Sequence, residues 1–377
     1  MHSAMLLMSC LPILMHRCIL TWATIDASMH GEKTHRPAAV DTWLRSPALD
    51  GLQELEFWYN RSSMCRQELQ PVPASAFRFS SRFRVAIISQ CIIPDSTAQT
   101  IHFPQLKKLS LEQVTISEDS IDRVIAGCLV LESLLLNRYS GFDCIRINSP
   151  TLRSVAISSG KLVIEDAPSL QRLIHLDLSR GLRVTVISAP KLETLGRLSY
   201  QCTTIAFGST ILEGSRVDCL TTVVHSVKVL SIFIYTLSLD MVIDLMKLFP
   251  CLEKLYIETL DSGEKNLWRR KHQSFIRCHQ IRLKTIVLAH YRGIKSHINF
   301  AMFFVLNAPM LELMRFEVDF GQCSKRFIAW QHKVLQLKDR ASRDAQFYFT
   351  NDSCLHDLTN NRHTPDLSIA DPFECRC

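Results

Sequence analysis

One phrase recurs along most of this chain and limits what it can fold into: Pro, any residue, Leu, two residues, then an aliphatic or similar apolar residue. Six copies match: Pro104-Gln105-Leu106 with Leu109, Pro150-Thr151-Leu152 with Val155, Pro168-Ser169-Leu170 with Leu173, Pro190-Lys191-Leu192 with Leu195, Pro250-Cys251-Leu252 with Leu255, and Pro309-Met310-Leu311 with Met314. Relaxed copies fill the gaps at Leu52/Leu55/Phe57, Phe83/Ala86/Ile88, Leu131/Leu134/Leu136, Val227/Leu230/Ile232 and Leu283/Ile286/Leu288. In each, the first apolar residue turns the chain into a core. The next two alternate with polar residues at period two, which is a short strand with one face inward. Proline ahead of the strand lacks an N–H only where no ladder partner is needed, and it holds the preceding residue extended.

Start-to-start spacing of about 18 to 35 residues brackets the period of leucine-rich repeats. A strand, a return segment and a second strand in the same direction make a right-handed solenoid, with parallel strands lining one wall. The fold class is therefore α/β. Glycine is scarce, 12 of 377 residues, which argues against glycine-rich nucleotide loops as an organising theme.

The return segments differ along the chain. Ser117 to Gly127 reads as a helix: Ser117 caps it, Glu118 and Asp119 crowd its first turn, Gly127 ends it, and Ile121, Val124 and Ile125 form its buried stripe. A second helix runs from a Ser238 cap through Met241, Val242, Leu245, Met246 and Phe249 to Pro250, and a third from about His297 to Leu306. Between about Asp143 and Ser209 there is no room for helices. Second strands take their place at Cys144–Ile147, Leu162–Ile164 and Val184–Ile187.

The charge balance, 43 basic against 36 acidic side chains, leaves +7, too modest a surplus to imply a nucleic-acid partner. Fourteen scattered cysteines are too sparse for a disulfide scaffold and read as small apolar residues of a reduced protein of the nucleus or cytoplasm. The apolar start, with Leu11 to Met15 interrupted by Arg17, is too short to span a membrane and lacks the basic opening and small-x-small site of a signal peptide. Asn60-Arg61-Ser62 and Asn351-Asp352-Ser353 are sequons that would matter only on secretion.

No P-loop, Gly-x-Ser-x-Gly or Gly-x-Gly-x-x-Gly is present, and no acid–base pair suggests catalysis or a cofactor. His272, Cys278, His279 and His290 are close in sequence but lack the ligand spacing zinc requires. Cys375 and Cys377 read as part of a frayed end. The basic run at Arg269, Arg270 and Lys271, next to Trp268, reads either as an exposed connection or as a nuclear-import or phosphate-contacting patch. Candidates for binding a target protein are the residues flanking each second aliphatic, expected to face outward: Lys108, Ser110, Ser133, Ser154, Arg172, Lys254, Tyr256 and Arg315. Tyr256 and Arg315 lead, because aromatic and arginine side chains dominate interface energetics.

Phe103 to Leu111, Ile116 to Ser120, Ile125 to Cys128 and Ile145 to Pro150 resemble the repeat region of plant F-box/LRR proteins. Leu283 to Ile286, Tyr291-Arg292-Gly293 and Phe303 to Glu312 resemble the FBD module that follows it, and Arg340 to Ala345 its trailing segment. The resemblance divides the chain into an unassigned segment 1–39, repeats at 40–262, and an FBD-like module with a tail at 263–377. It implies the substrate receptor of an SCF-type ubiquitin ligase: an F-box docks a Skp-family adaptor and, through it, a cullin, while the repeats select the target. The F-box pattern has no counterpart in residues 1–37, where Leu11-Pro12-Ile13-Leu14 is only an echo. Two further readings therefore stand beside the receptor: an interaction or decoy protein without a ligase role, and a secreted recognition protein.

Overall fold

The computed structural model describes residues 7–8, 17–23, 44–45, 47–60, 69–214, 216–218, 220–261, 265–319, 323–351, 367 and 371–374. The chain forms two compact units, Met1–Leu170 with Arg362–Ser368, and Gln171–Asn361 with Ile369–Cys377.

In the first unit the repeats build a wall of parallel strands in chain order: Arg17–Ala23, Glu54–Asn60, Val85–Ser89, Lys108–Glu112, Ser133–Asn137 and Ser154–Ile157. Leu7–Met8 adds an antiparallel edge. Arg17–Ala23 lies in the segment left unassigned from the sequence, and its register sets Cys18 beside Leu55 and Leu20 beside Phe57. The second unit repeats the design with Arg172–His175, Thr194–Ser199, Val229–Thr236, Lys254–Asp261, Thr285–Ala289, Leu313–Glu317 and Gln346–Thr350, all parallel.

Register explains the phrase. The second apolar position of every copy falls in one column per unit: Leu55, Ala86, Leu109, Leu134 and Val155 in the first, Leu173, Leu195, Leu230, Leu255, Ile286 and Met314 in the second. All are buried, as are the leading residues Leu106, Leu152, Leu170, Leu192, Leu252 and Leu311. Each such side chain larger than Ala86 contributes about 1.5–3 kcal/mol by leaving water, so the stacked columns are a principal stabilisation of each unit.

A second periodic device follows the leading leucine. The carbonyl of the next residue accepts two backbone N–H groups from the following repeat, as Lys107 does from Glu132 and Ser133, and Glu253 from Lys284 and Thr285. Side chains at these positions alternate in sign in the second unit: Glu193, Lys228, Glu253, Lys284, Glu312. Lys228 pairs with Glu193 at 2.9 Å and Lys284 with Glu253 at 2.8 Å.

Helices occupy return segments as the sequence predicts. Glu118–Ala126 is capped by Ser117, whose hydroxyl accepts from the Ser120 N–H at 3.3 Å, and Gly127 follows it; Ile125 is only half-buried. The third expected helix is Lys295–Asn307. Short helices at Asp95–Ala98 and Gln273–Cys278 span too few residues for a helical period to show, whereas a longer one at Lys325–Val334, capped by Ser324, is an element not anticipated from the sequence.

Leu239–Leu248 differs in its cap. Ser238 occupies the capping position but its hydroxyl makes no capping bond. Asn266 does the work from a distance: its Oδ1 accepts from the Leu239 N–H at 2.8 Å, while its Nδ2 donates to the Leu237 and Ser296 carbonyls. Asn266 is buried and takes a left-handed φ of 48°, a conformation asparagine tolerates better than most residues.

Between the helical regions, second strands replace helices as expected. Cys144–Asn148 pairs in parallel with Gly160–Asp166, and in the second unit Leu182–Val186 pairs in parallel with Thr203–Phe207. Thr210–Glu213 and Arg216–Asp218 extend the latter pair by antiparallel turns.

Candidate interaction surface

Because the columns point into the core, the alternate positions form the open face of each wall. In the second unit one open-face row runs through Arg172, Thr194, Val229, Lys254, Thr285, Leu313 and Gln346. The next row carries Ile174 beside Gly196, and, beyond a bulge, Ser231, Tyr256, Val287, Arg315 and Tyr348. The expected site residues Arg172, Lys254, Tyr256 and Arg315 thus share one face. Arg315 lies 3.3 Å from the buried Glu317 carboxylate, whose pKa burial raises while Arg315 opposes the rise.

In the first unit Lys108 and Ser133 are half-buried on the equivalent face. Ser110 and Ser154 correct the expectation of outward exposure: they are 0% and 2% exposed. The row at Ser110 continues through Leu135 and Ala156, which are also buried, so the open face is shielded there rather than solvated. Beside Ser154 lies Leu367, whose carbonyl accepts from the Ser154 hydroxyl at 3.1 Å and whose side chain is itself buried.

The open face of the second unit carries a segment of its own chain. The Asp371 Oδ2 accepts from Lys254 Nζ at 2.9 Å and from the Tyr256 hydroxyl at 2.8 Å. Glu374 approaches Lys254 at 3.6 Å. The Phe373 ring stands 5.5 Å from the Tyr256 ring, and its edge lies where a Cβ on Gly196 would sit, 2.4 Å away. Burial and the facing carboxylate push the Tyr256 phenol well above its usual range. Burial alone would lower the Lys254 pKa, but Asp371 and Glu374 raise it, so the ammonium is held charged.

The basic run is exposed as expected at Arg269 and Arg270, with the Arg269 guanidinium 5.6 Å from the Trp268 ring. Lys271 is exposed as well and finds its ion partner outside the run. Asp240, on Leu239–Leu248, bonds both Lys271 and His272 Nε2, and these bonds hold its carboxyl below the ordinary value against the opposing effect of burial. The histidines near this run do not converge: His279 stacks on Phe275 at 4.8 Å and His290 Nδ1 lies 3.1 Å from Asp319. Among the described residues no three metal-ligating side chains form a group, and no helix is long and apolar enough to cross a membrane. Cys375 and Cys377 lie outside the described residues.

Sequence reasoning missed Gly196, Asp371 and Phe373. The signal for the last two was an acidic and aromatic run, Asp371-Pro372-Phe373-Glu374, just before the Cys375 and Cys377 end read as frayed.

Stacked parallel strands with an in-register apolar column and an opposite open face define a leucine-rich-repeat fold. Residues 40–257 match the family model for the LRR repeats of FBD-associated F-box protein At5g56370, and residues 271–316 match the FBD family. The chain belongs to the F-box-associated leucine-rich-repeat family, with an FBD region toward its C-terminus. No individual curated protein matches it.

Proposed function

We propose that this chain is a non-catalytic substrate-recognition protein that binds a target protein through the open face of its repeat wall, in the manner of the receptor subunit of an SCF-type ubiquitin ligase. Arg172, Lys254, Tyr256 and Arg315 carry the target contacts of the second unit, and Lys108 and Ser133 are the corresponding candidates of the first, taken by itself. Arg269 and Arg270 serve nuclear import, which suits a receptor working in the nucleus or cytoplasm. The observation that carries the reading is the in-register open face, where two arginines, a lysine and a tyrosine are presented by three strands of one parallel wall in a family of protein-interaction modules. Such a rigid array offers many contacts with little ordering cost on binding.

Affinity purification of the tagged full-length chain from plant-type cells, with mass spectrometry, tests this. A Skp-family adaptor and a cullin at stoichiometric levels, with a target lost on Arg315→Ala, are the expected result. A reproducible target without adaptor or cullin would make the chain a binding or decoy protein instead.

A further inference from the structure

The contact between Asp371–Glu374 and the wall has the chemistry of a recognition site. Lys254 Nζ and the Tyr256 hydroxyl, two donors from neighbouring open-face rows, converge on the same oxygen, Asp371 Oδ2. A charged donor and a phenol aimed at one point select a group that only accepts and carries negative charge, which among side chains means a carboxylate. Asp371 is 7% exposed, so the bonds form largely out of water. Its other oxygen, Oδ1, accepts from the Phe373 N–H at 3.1 Å, closing a turn across Pro372. The turn sets the ring two residues on against Tyr256 and over Gly196, where any side chain would displace it. Acid and aromatic are thus read together, at a fixed spacing.

The occupant comes from more than a hundred residues further along the chain and lies outside the repeats, so the wall does not need it to complete a ladder. A tethered segment of four residues is held mainly by its high local concentration, and a target with further contacts along the wall can displace it.

Resting on the reading of the wall as the target surface, we infer that Lys254, Tyr256 and Gly196 form a pocket for a target segment bearing a carboxylate two residues before an aromatic ring, and that Asp371–Glu374 fills this pocket until such a target replaces it.

The test uses the full-length chain and a fluorescein-labelled peptide, Ile-Ala-Asp-Pro-Phe-Glu, the sequence of residues 369–374. By fluorescence polarisation, the Phe373→Ala and Asp371→Asn chains should each bind it about tenfold or more tighter than the parent, because the tail no longer competes. Gly196→Val should release the tail, seen as faster chymotryptic cleavage after Phe373, yet bind no peptide, because the ring seat is filled. Adding Lys254→Met to Phe373→Ala should abolish binding. Equal binding by parent and tail variants, or binding that survives Lys254→Met, overturns the inference. Target capture unaffected by Phe373→Ala and Lys254→Met but lost on Arg315→Ala also overturns it, while leaving the receptor reading in place. Peptide binding as described without adaptor or cullin leaves the pocket standing and removes the receptor reading.

Discussion

The Tyr291 hydroxyl donates to Gln331 Oε1 at 2.7 Å, and both side chains are buried. The bond ties the turn after Thr285–Ala289 to Lys325–Val334, a helix on which Gln331 is the buried residue. Tyr291→Phe keeps the ring against Phe316, 4.6 Å away, but leaves the Gln331 oxygen unpaired. It should cost about 1–2 kcal/mol, read as a lower urea midpoint at unchanged m-value. Gly293→Ala should cost more. Gly293 has φ of +65°, and a Cβ there would lie 2.1 Å from Gln331 Nε2.

Asn266, rather than Ser238, caps Leu239–Leu248, so the two substitutions to alanine should separate. Ser238→Ala should be within about 0.5 kcal/mol of the parent, because no capping bond is lost. Asn266→Ala removes bonds to Leu239, Leu237 and Ser296 inside the protein and should cost about 2 kcal/mol or more. Equal losses by denaturant titration would mean that Ser238 carries the cap.

His297 gives a pH dependence. Burial, with a smaller contribution from Arg292, lowers its pKa from 6.5 to about 4, and its Nδ1 accepts from the Arg292 N–H at 3.2 Å, which requires the ring unprotonated there. The unfolded chain binds this proton more readily, so the contribution is fully present above pH 6.5 and is lost as pH falls toward 4. The loss is on the order of 3 kcal/mol across that window. Urea titrations from pH 7 to 4 should show a shallower fall for His297→Gln than for the parent.

Cysteine reactivity should follow burial. Cys91 and Cys128 are buried, and desolvation pushes both thiols to about 12, whereas Cys278 is exposed. Iodoacetamide at pH 7.5 on the native chain should therefore modify Cys278 well ahead of Cys91 and Cys128, as peptide mass spectrometry would show. All three should react alike in guanidinium. Native labelling of Cys91 matching that of Cys278 would contradict the packing of Val85–Ser89 and Cys91–Ile92.

The repeats were legible because their signal is local. Leu106, Leu109 and Leu111 lie within six residues, and a strand's period of two needs no distant information. The helix capped by Ser117 was legible for the same reason: cap, acidic first turn and apolar stripe are contiguous. Asn266 was not, since a cap supplied from 27 residues away leaves no spacing rule. Exposure on the open face was only half legible. Alternation placed Ser110 and Ser154 away from the leucine columns correctly, yet it says nothing about what covers that face, and both are buried.

The sequence alone determined the repeat, the inward columns and the family resemblance, because stacking identical units requires each unit to carry the same apolar positions. Tertiary structure alone decided that Asp240 neutralises Lys271 and that Asp371 occupies Lys254 and Tyr256. Contacts of that kind join residues far apart in the chain through charge and shape, and neither property leaves a period to read.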